Sequence, residues 1–144
     1  MDQEFTLTLV NRIEQLDIMA QCLQAFCTNN RLPKTVADSL EVVLHELASN
    51  VISYAWDDGS VHELQLHVAL ANGKVVAEIS DDGRPFDPLG HTFPDINAPL
   101  EERGIGGLGL LLARTIADTL EYRRDGERNR VLLSKAIPLN GGPA

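Results

Sequence analysis

Glu46 and Asn50 stand four residues apart in the stretch Leu40–Ala55, LEVVLHELASNVISYA, and at helical spacing they stack on one edge of an apolar face. An Asn carbonyl oxygen is a suitable ligand for Mg²⁺, a cation that keeps several waters and binds phosphates. A Glu one turn earlier can take a proton from a nucleophile or from water. A second group, Asp81-Asp82-Gly83, closes an alternating apolar run. A carboxylate at a strand end can accept a hydrogen bond from an exocyclic amine such as the N6 of adenine, and a glycine beside it lets a flat ring approach the backbone. The third group is Gly104-Ile105-Gly106-Gly107-Leu108-Gly109. Its glycines can take positive φ, so several N–H groups can converge, and a helix N-terminus directly behind them favours phosphate. Each group taken alone has an ordinary alternative: a helix rim wetted by solvent, an acidic turn, a flexible hinge.

Other motifs are excluded by single residues. His45-Glu46 fails as a zinc-protease HExxH because position 49 is Ser. The glycines follow a long irregular segment instead of a strand, which rejects a dinucleotide-binding fold, and they lack the Gly-Lys-Ser/Thr of a P-loop. The four histidines form no ligand pair, and Cys22 and Cys27, five apart, match neither a redox nor a zinc spacing. Both cysteines read as core or half-buried thiols.

The elements that must position these groups follow from periodicity. Val36, Leu40, Val43, Leu44, Leu47, Val51 and Tyr54 recur at steps of three and four, a helix whose first turn suits Pro33. Before it, Phe5, Leu7 and Leu9 alternate with threonines as a half-buried strand. Asn11 can then cap a helix carrying Ile13, Leu16, Met19 or Ala20, Leu23 and Phe26 inward. Leu64–Leu70 and Val75–Ile79 alternate around Asn72-Gly73, a strong hairpin signal. The segment from Asp81 to Arg103, 23 residues without periodicity, reads as a functional lid or disordered loop. A helix with the stripe Leu108, Leu111, Leu112, Thr115, Ile116 and Leu120 follows, then a second hairpin around Asp125-Gly126. The order β-α-α-β-β-lid-α-β-β predicts an α+β fold, a two-layer α/β sandwich with a mostly antiparallel sheet covered on one face by about three helices.

The length, 144 residues, suits one domain, read as residues 1–139 with a loose tail over 140–144. The net charge of −9 argues against phosphate-backbone binding, so no direct nucleic-acid partner is expected. With no apolar run of transmembrane length and no basic leader at the N-terminus, the sequence predicts a cytoplasmic protein with no membrane partner.

In this order, with a lid between the second and third, the three groups resemble the nucleotide-binding boxes of the GHKL (Bergerat-fold, histidine-kinase-like) ATPases and kinases. Glu46 and Asn50 look like the N-box, Asp81-x-Gly83 like the G1 box, and Gly104-x-Gly106-Gly107-Leu108-Gly109 like the G2 box. The likeness runs from about residue 5 to residue 136. It is closest to the stand-alone anti-sigma serine/threonine kinase group, RsbW and SpoIIAB, through the small size, Pro85-Phe86-Asp87-Pro88 after the G1 box and Glu101-Glu102-Arg103 before the glycines. The resemblance implies ATP and Mg²⁺ as cofactors. Asn50 would ligate the metal, and Glu46 would be the catalytic base acting on a Ser or Thr hydroxyl. Asp81 would bind adenine with Gly83 beside the ring. Gly104, Gly106, Gly107, Leu108 and Gly109 would form the lid hinge and phosphate cradle, and Arg103 would reach the terminal phosphate.

The implied function is a protein kinase that phosphorylates a STAS-type antagonist and sequesters a sigma factor or other regulator. The group often dimerises, and Phe5–Leu9 is a candidate edge for a homodimer. The alternatives are an ATP-binding regulatory module without kinase activity, the catalytic domain of a histidine kinase, and a plain ATPase. Two places depart from the family pattern. Pro85 stands where many members have Gly, and Arg128-Asn129-Arg130-Val131 offers no hydroxyl where members often carry an adenine-supporting Thr.

Overall fold

The computed structural model describes residues 3–87 and 107–138, with backbone alone for 107–111. In chain order the elements are β1 (Glu4–Val10), α1 (Gln15–Asn29), α2 (Lys34–Tyr54), β2 (Glu63–Ala71), β3 (Lys74–Asp81), α3 (Gly107–Ile116), β4 (Thr119–Asp125) and β5 (Arg128–Ala136). The five strands make one sheet in the order β1-β2-β3-β5-β4, every pair antiparallel. The fold is therefore the expected α+β arrangement of three helices on an antiparallel sheet.

Two hairpins pin the register. Asn72 and Gly73 both take positive φ, 53° and 78°, between Ala71 and Lys74, as a type I′ turn requires. Gly126, at φ 59°, turns β4 into β5. With the register set, the inward positions of β2, β3 and β5 (Leu64, Leu66, Val68, Val75, Ala77, Ile79, Val131, Leu133) all fall on one buried face. The helices cover that face: α1 with Leu16, Met19, Leu23 and Phe26, α2 with Val36, Leu40, Val43, Leu44 and Leu47. Phe5 of β1 packs on Phe26 of α1 at 5.3 Å between ring centroids.

The join between α1 and α2 is a Schellman turn. Arg31 takes the left-handed φ of 55°, its N–H reaches the Thr28 carbonyl at 3.1 Å, and the Leu32 N–H reaches the Cys27 carbonyl at 2.9 Å. Pro33 then holds the N-cap position, with ψ 146°, one residue earlier than the first turn that the sequence suggests.

Three expectations are corrected. Asn11 does not cap α1, which starts at Gln15. Its amide donates to the Ser60 carbonyl at 3.1 Å and its oxygen accepts from the His62 N–H at 2.9 Å, so it ties the end of β1 to the approach to β2. Ile13 is consequently outside the helix and 53% exposed. The third helix ends at Ile116, and Leu120 belongs to β4. Its buried side chain among those described is Ala113, with Ala117 just beyond the helix, while Leu112 faces out at 50% exposure. The apolar stripe misled because it runs past the helix end into β4. Residues 88–103 of the expected lid, Arg103 among them, and Gly104 and Gly106 lie outside the described residues, while Asp81, the first residue of that segment, closes β3.

Leu44, at 0% exposure in the middle of α2, tests the packing. Leu44→Ala should lower unfolding free energy by about 2–5 kcal/mol, read by denaturant titration.

Candidate functional site

The predicted residues of the first two groups meet at the C-terminal half of α2 and the end of β3. Asn50 and Asp81 are 5% and 3% exposed, unusual depths for polar side chains, and each is hydrogen-bonded. On α2, the Asn50 amide donates to both the Glu46 carbonyl and the Glu46 Oε1, each at 3.0 Å. Both donors of Asn50 are thus used within the helix, and its Oδ1 has no partner among the described residues. Glu46 is half-buried at the rim.

On β3, Asp81 Oδ1 accepts from the Gly83 N–H at 2.8 Å and from the Asn129 amide at 3.0 Å. Its Oδ2 has no partner among the described residues. Burial pushes the Asp81 carboxyl above the ordinary aspartate range. The Asn129 amide, the Gly83 N–H and the charge of Arg128 oppose that push, and Asp82 adds to it.

Gly83 is fixed by space. A Cβ there would lie 2.5 Å from the Ala55 carbonyl oxygen and 2.6 Å from the Ala55 Cβ. The same close approach is stitched by hydrogen bonds: Arg84 N–H to the Ala55 carbonyl at 2.9 Å, Arg84 Nε–H to the Tyr54 carbonyl at 2.9 Å, and Trp56 Nε1–H to Asp82 Oδ1 at 3.1 Å. The two guanidinium and amide bonds serve carbonyls that the end of α2 leaves without intrahelical donors.

Between the helix and the sheet lies a small cavity of ≈ 20 Å³, lined by Leu47, Asn50, Val51, Ala55, Asp81, Phe86, Asn129 and Val131. It has room for about one water molecule. Its walls are apolar apart from Asn50, Asp81 and Asn129. Phe86, and Ala55 just past the end of α2, are the walls that belong to neither helix nor sheet. A larger groove of ≈ 500 Å³ between α1 and α2, which includes Cys27 and Glu41, contains none of the predicted residues. Burial there raises the Cys27 thiol to about 11, which makes it an inert core thiol at neutral pH.

The sequence pointed away from Asn129, because a hydroxyl was sought in its neighbourhood. Its signal was register: Asn129 is the β5 partner of Asp81. Tyr122 and Arg124 were also missed. The Tyr122 hydroxyl donates to Asn129 Oδ1 at 2.6 Å, and Arg124 Nη1 donates to the same oxygen at 3.1 Å and to the Gly83 carbonyl at 2.8 Å. Gly107, Leu108 and Gly109 open α3, and the side chain of Leu108 lies outside the described atoms.

The donor chemistry at Asn50 fits a hard cation such as Mg²⁺, since its remaining atom is a neutral carbonyl oxygen. Among the described residues no group of three or more His, Cys, Asp or Glu can hold a metal ion. A cation here would therefore take most of its ligands from phosphate and water, as Mg²⁺ commonly does.

The raised Asp81 pKa fixes the sign of a stability effect. The stability of the neutral form is fully present below the ordinary aspartate pKa and is lost as pH rises through the folded-state value. At neutral pH the buried carboxylate is thus a burden. Asp81→Asn should unfold at a higher temperature than the natural chain at neutral pH, and the difference should shrink on acidification, both read by thermal melts.

Known proteins resemble this chain in sequence and in fold. Residues 9–135 match the family model described as histidine kinase-like ATPase domain. Serine-protein kinase RsbW of Halalkalibacterium halodurans is 30% identical over 104 residues, 67% of this chain and 62% of that protein. The RsbW of Bacillus cereus is 27% identical, covering 69% and 64%, and that of Listeria monocytogenes is 24% identical, covering 95% and 89%. The chain thus spans less than two thirds of the length of the first two relatives. Among solved structures, the RsbU and RsbW domains from Mycobacterium tuberculosis superpose with a TM-score of 0.69 at 13% identity, over 94% of this chain and 32% of that one. The Acinetobacter baumannii histidine kinase AdeS superposes with 0.50 at 18% identity, over 91% and 68%. These two likenesses concern the fold, while the family match spans the pocket residues from Glu46 to Asn129. The chain belongs to the histidine kinase-like ATPase domain family, the GHKL superfamily, and is similar in sequence to the serine-protein kinases RsbW.

Proposed function

We propose that this chain is an ATP-dependent serine/threonine protein kinase that also regulates by binding, in the manner of an anti-sigma factor. The observation that carries this reading is the pair of unspent oxygens, Asp81 Oδ2 and Asn50 Oδ1, on two walls of one apolar cavity. One suits the amino group of adenine, the other a phosphate-bound cation.

In the reaction, Asp81 accepts a hydrogen bond from the adenine amino group while the Gly83 backbone leaves room beside the ring. Entry of the base requires the small cavity to open, and Phe86 is a wall that stands outside helix and strand. Bound Mg²⁺ would neutralise phosphate charge, with Asn50 as its protein ligand. Glu46, at the half-buried rim, takes the proton of a substrate Ser or Thr hydroxyl as that oxygen bonds to the terminal phosphorus and ADP leaves. Gly107, Leu108 and Gly109 in the first turn of α3, with Gly104 and Gly106 before them in sequence, supply phosphate-facing amides, and Arg103 reaches the terminal phosphate. This assignment rests on the motif and on a helix beginning at Gly107.

The substrate is read as a STAS-type antagonist, and the sequestered partner as a sigma factor or other regulator. The relatives' name, serine-protein kinase, supports the hydroxyl acceptor. A single domain over residues 1–139, in the cytoplasm, suits this role; no described helix is long and apolar enough to cross a membrane. A homodimer could pair through β1, an edge of the sheet. The alternative, a nucleotide-binding regulatory module without kinase activity, is favoured by the Asn50 hydrogen bond that already occupies one Glu46 oxygen.

Thermal unfolding with Mg·ATP and with Mg·GTP tests the site. A ligand at 100 times its dissociation constant adds about 2.7 kcal/mol, which should raise Tm by several degrees with ATP and not with GTP. Glu46→Ala should abolish phosphotransfer to a STAS-type protein while keeping ATP affinity. Transfer that persists would remove Glu46 as the base. Asn50→Ala should weaken Mg·ATP binding itself, read by calorimetry.

A further inference from the structure

Asn129 uses every hydrogen-bonding position it has. Its Nδ2 donates to Asp81 Oδ1 at 3.0 Å and to the Arg84 carbonyl at 2.8 Å. Its Oδ1 accepts from the Tyr122 hydroxyl at 2.6 Å, from Arg124 Nη1 at 3.1 Å and from the Phe86 N–H at 3.4 Å. One amide orientation satisfies all of these. The flipped amide would set its NH₂ against a guanidinium and a backbone N–H, and its oxygen against a carboxylate and a carbonyl. Tyr122 and Arg124 both stand on β4, the outer strand beyond Asn129. Arg124 Nη1 also holds the Gly83 carbonyl at 2.8 Å, so the same guanidinium steadies the glycine of the pocket. Asn129 lines the cavity at 3% exposure with no hydrogen-bonding capacity left for a ligand, so it acts on a ligand's polar contacts through Asp81.

We infer that Asn129 is the positioning residue of the base-recognition site: keyed by Tyr122 and Arg124 of β4, its amide holds Asp81 by one oxygen and leaves the other as a pure acceptor for a nucleobase amino group. This deepens the ATP-site reading above and rests on it for the identity of the ligand. The chemistry of selection follows. An ionised carboxylate offers acceptors alone, so it bonds a base carrying an exocyclic amine and repels one carrying a carbonyl at that place. A protonated Asp81 could donate, and the discrimination would fade. By donating to the carboxylate, Asn129 favours the ionised form against the burial that disfavours it.

The other charges that bear on Asp81 are Arg128 of β5, which favours ionisation, and Asp82 next in the chain, which opposes it. Arg124 of β4 acts through Asn129. Glu46 of α2 lies one helical turn before the pocket residue Asn50 and is bonded to it.

The test titrates Asp81 in the nucleotide-free protein by carboxyl ¹³C NMR and measures ATP and GTP binding by calorimetry across the same pH range. Asn129→Ala and Asn129→Asp should move the Asp81 titration to higher pH, and Tyr122→Phe should move it less in the same direction. Loss of one hydrogen bond to a buried charged group should weaken ATP binding about tenfold at neutral pH and narrow the ATP-over-GTP preference. The weakening should deepen on acidification, at a pH where the natural chain still binds. An unmoved Asp81 titration in Asn129→Ala, or an affinity loss that is the same at every pH, would overturn the inference and leave Asn129 a packing residue. If Asn129→Ala does not fold, Tyr122→Phe, which deletes one hydroxyl, decides by the same titration. Failure of the natural chain to bind ATP would refute the site reading, and the Asp81 titration would still decide whether Asn129 governs that carboxylate.

Discussion

The structure depends on one close approach: the backbone of Gly83 lies against Ala55, where a Cβ would meet the carbonyl oxygen at 2.5 Å. This contact brings the end of the strand that carries Asp81 to the end of the helix that carries Asn50. Without it, two residues 31 positions apart in sequence would sit on separate elements with no shared cavity. The hydrogen bonds of Arg84 and Trp56 follow from the same approach, and those of Arg84 terminate α2 by giving the Tyr54 and Ala55 carbonyls donors that are not helical. A position that demands glycine for packing is thus also the position beside which a flat ligand would lie.

The pocket is built against its own stability. Apolar walls make a carboxylate costly, and the fold answers with a second layer of polar contacts from β4 and β5 instead of a wetter cavity. Buried polar side chains with satisfied hydrogen bonds are rigid, and that rigidity presents acceptor atoms at fixed places. Among the described residues no buried side-chain polar atom lacks a partner, so the network is closed except where atoms face the cavity. Of the nearby charges, Arg128 favours the ionised form of Asp81 and Asp82 opposes it, while Arg124 is bonded to Asn129.

Most of the fold was legible because its signals are local. Helical spacing from Val36 to Leu47 and the Asn72-Gly73 turn each specify their element without reference to the rest. Element order and the one-sided helix cover then follow from alternation and from the hairpins. The failures were at boundaries and in long-range pairing. Asn11 has the right chemistry for a cap, but the turn from Asn11 to Glu14 intervenes and its side chain serves residues 60 and 62 instead. Of the site, Asn50, Asp81 and Gly83 were found because each belongs to a local motif, Asn50 four residues after Glu46 on a helix edge and Asp81-x-Gly83 at a strand end. Asn129 was not, since its role exists once β3 and β5 pair in register, a contact between residues 48 apart. Tyr122 and Arg124 are further removed still, as neighbours of that neighbour on β4.

Trp56 is the chain's one tryptophan. Its indole N–H is bonded to Asp82, and its ring stacks on His62 at 4.8 Å with 5° between planes. The tryptophan fluorescence of this protein therefore originates at the joint between α2 and β3, not as an average over the molecule. A fluorescence melt follows that joint, while circular dichroism follows the helices and the sheet. Coincidence of the two curves would mean that the pocket opens with the whole domain. An earlier fluorescence transition would mean that the pocket end unlocks first, as a local opening with its own free energy.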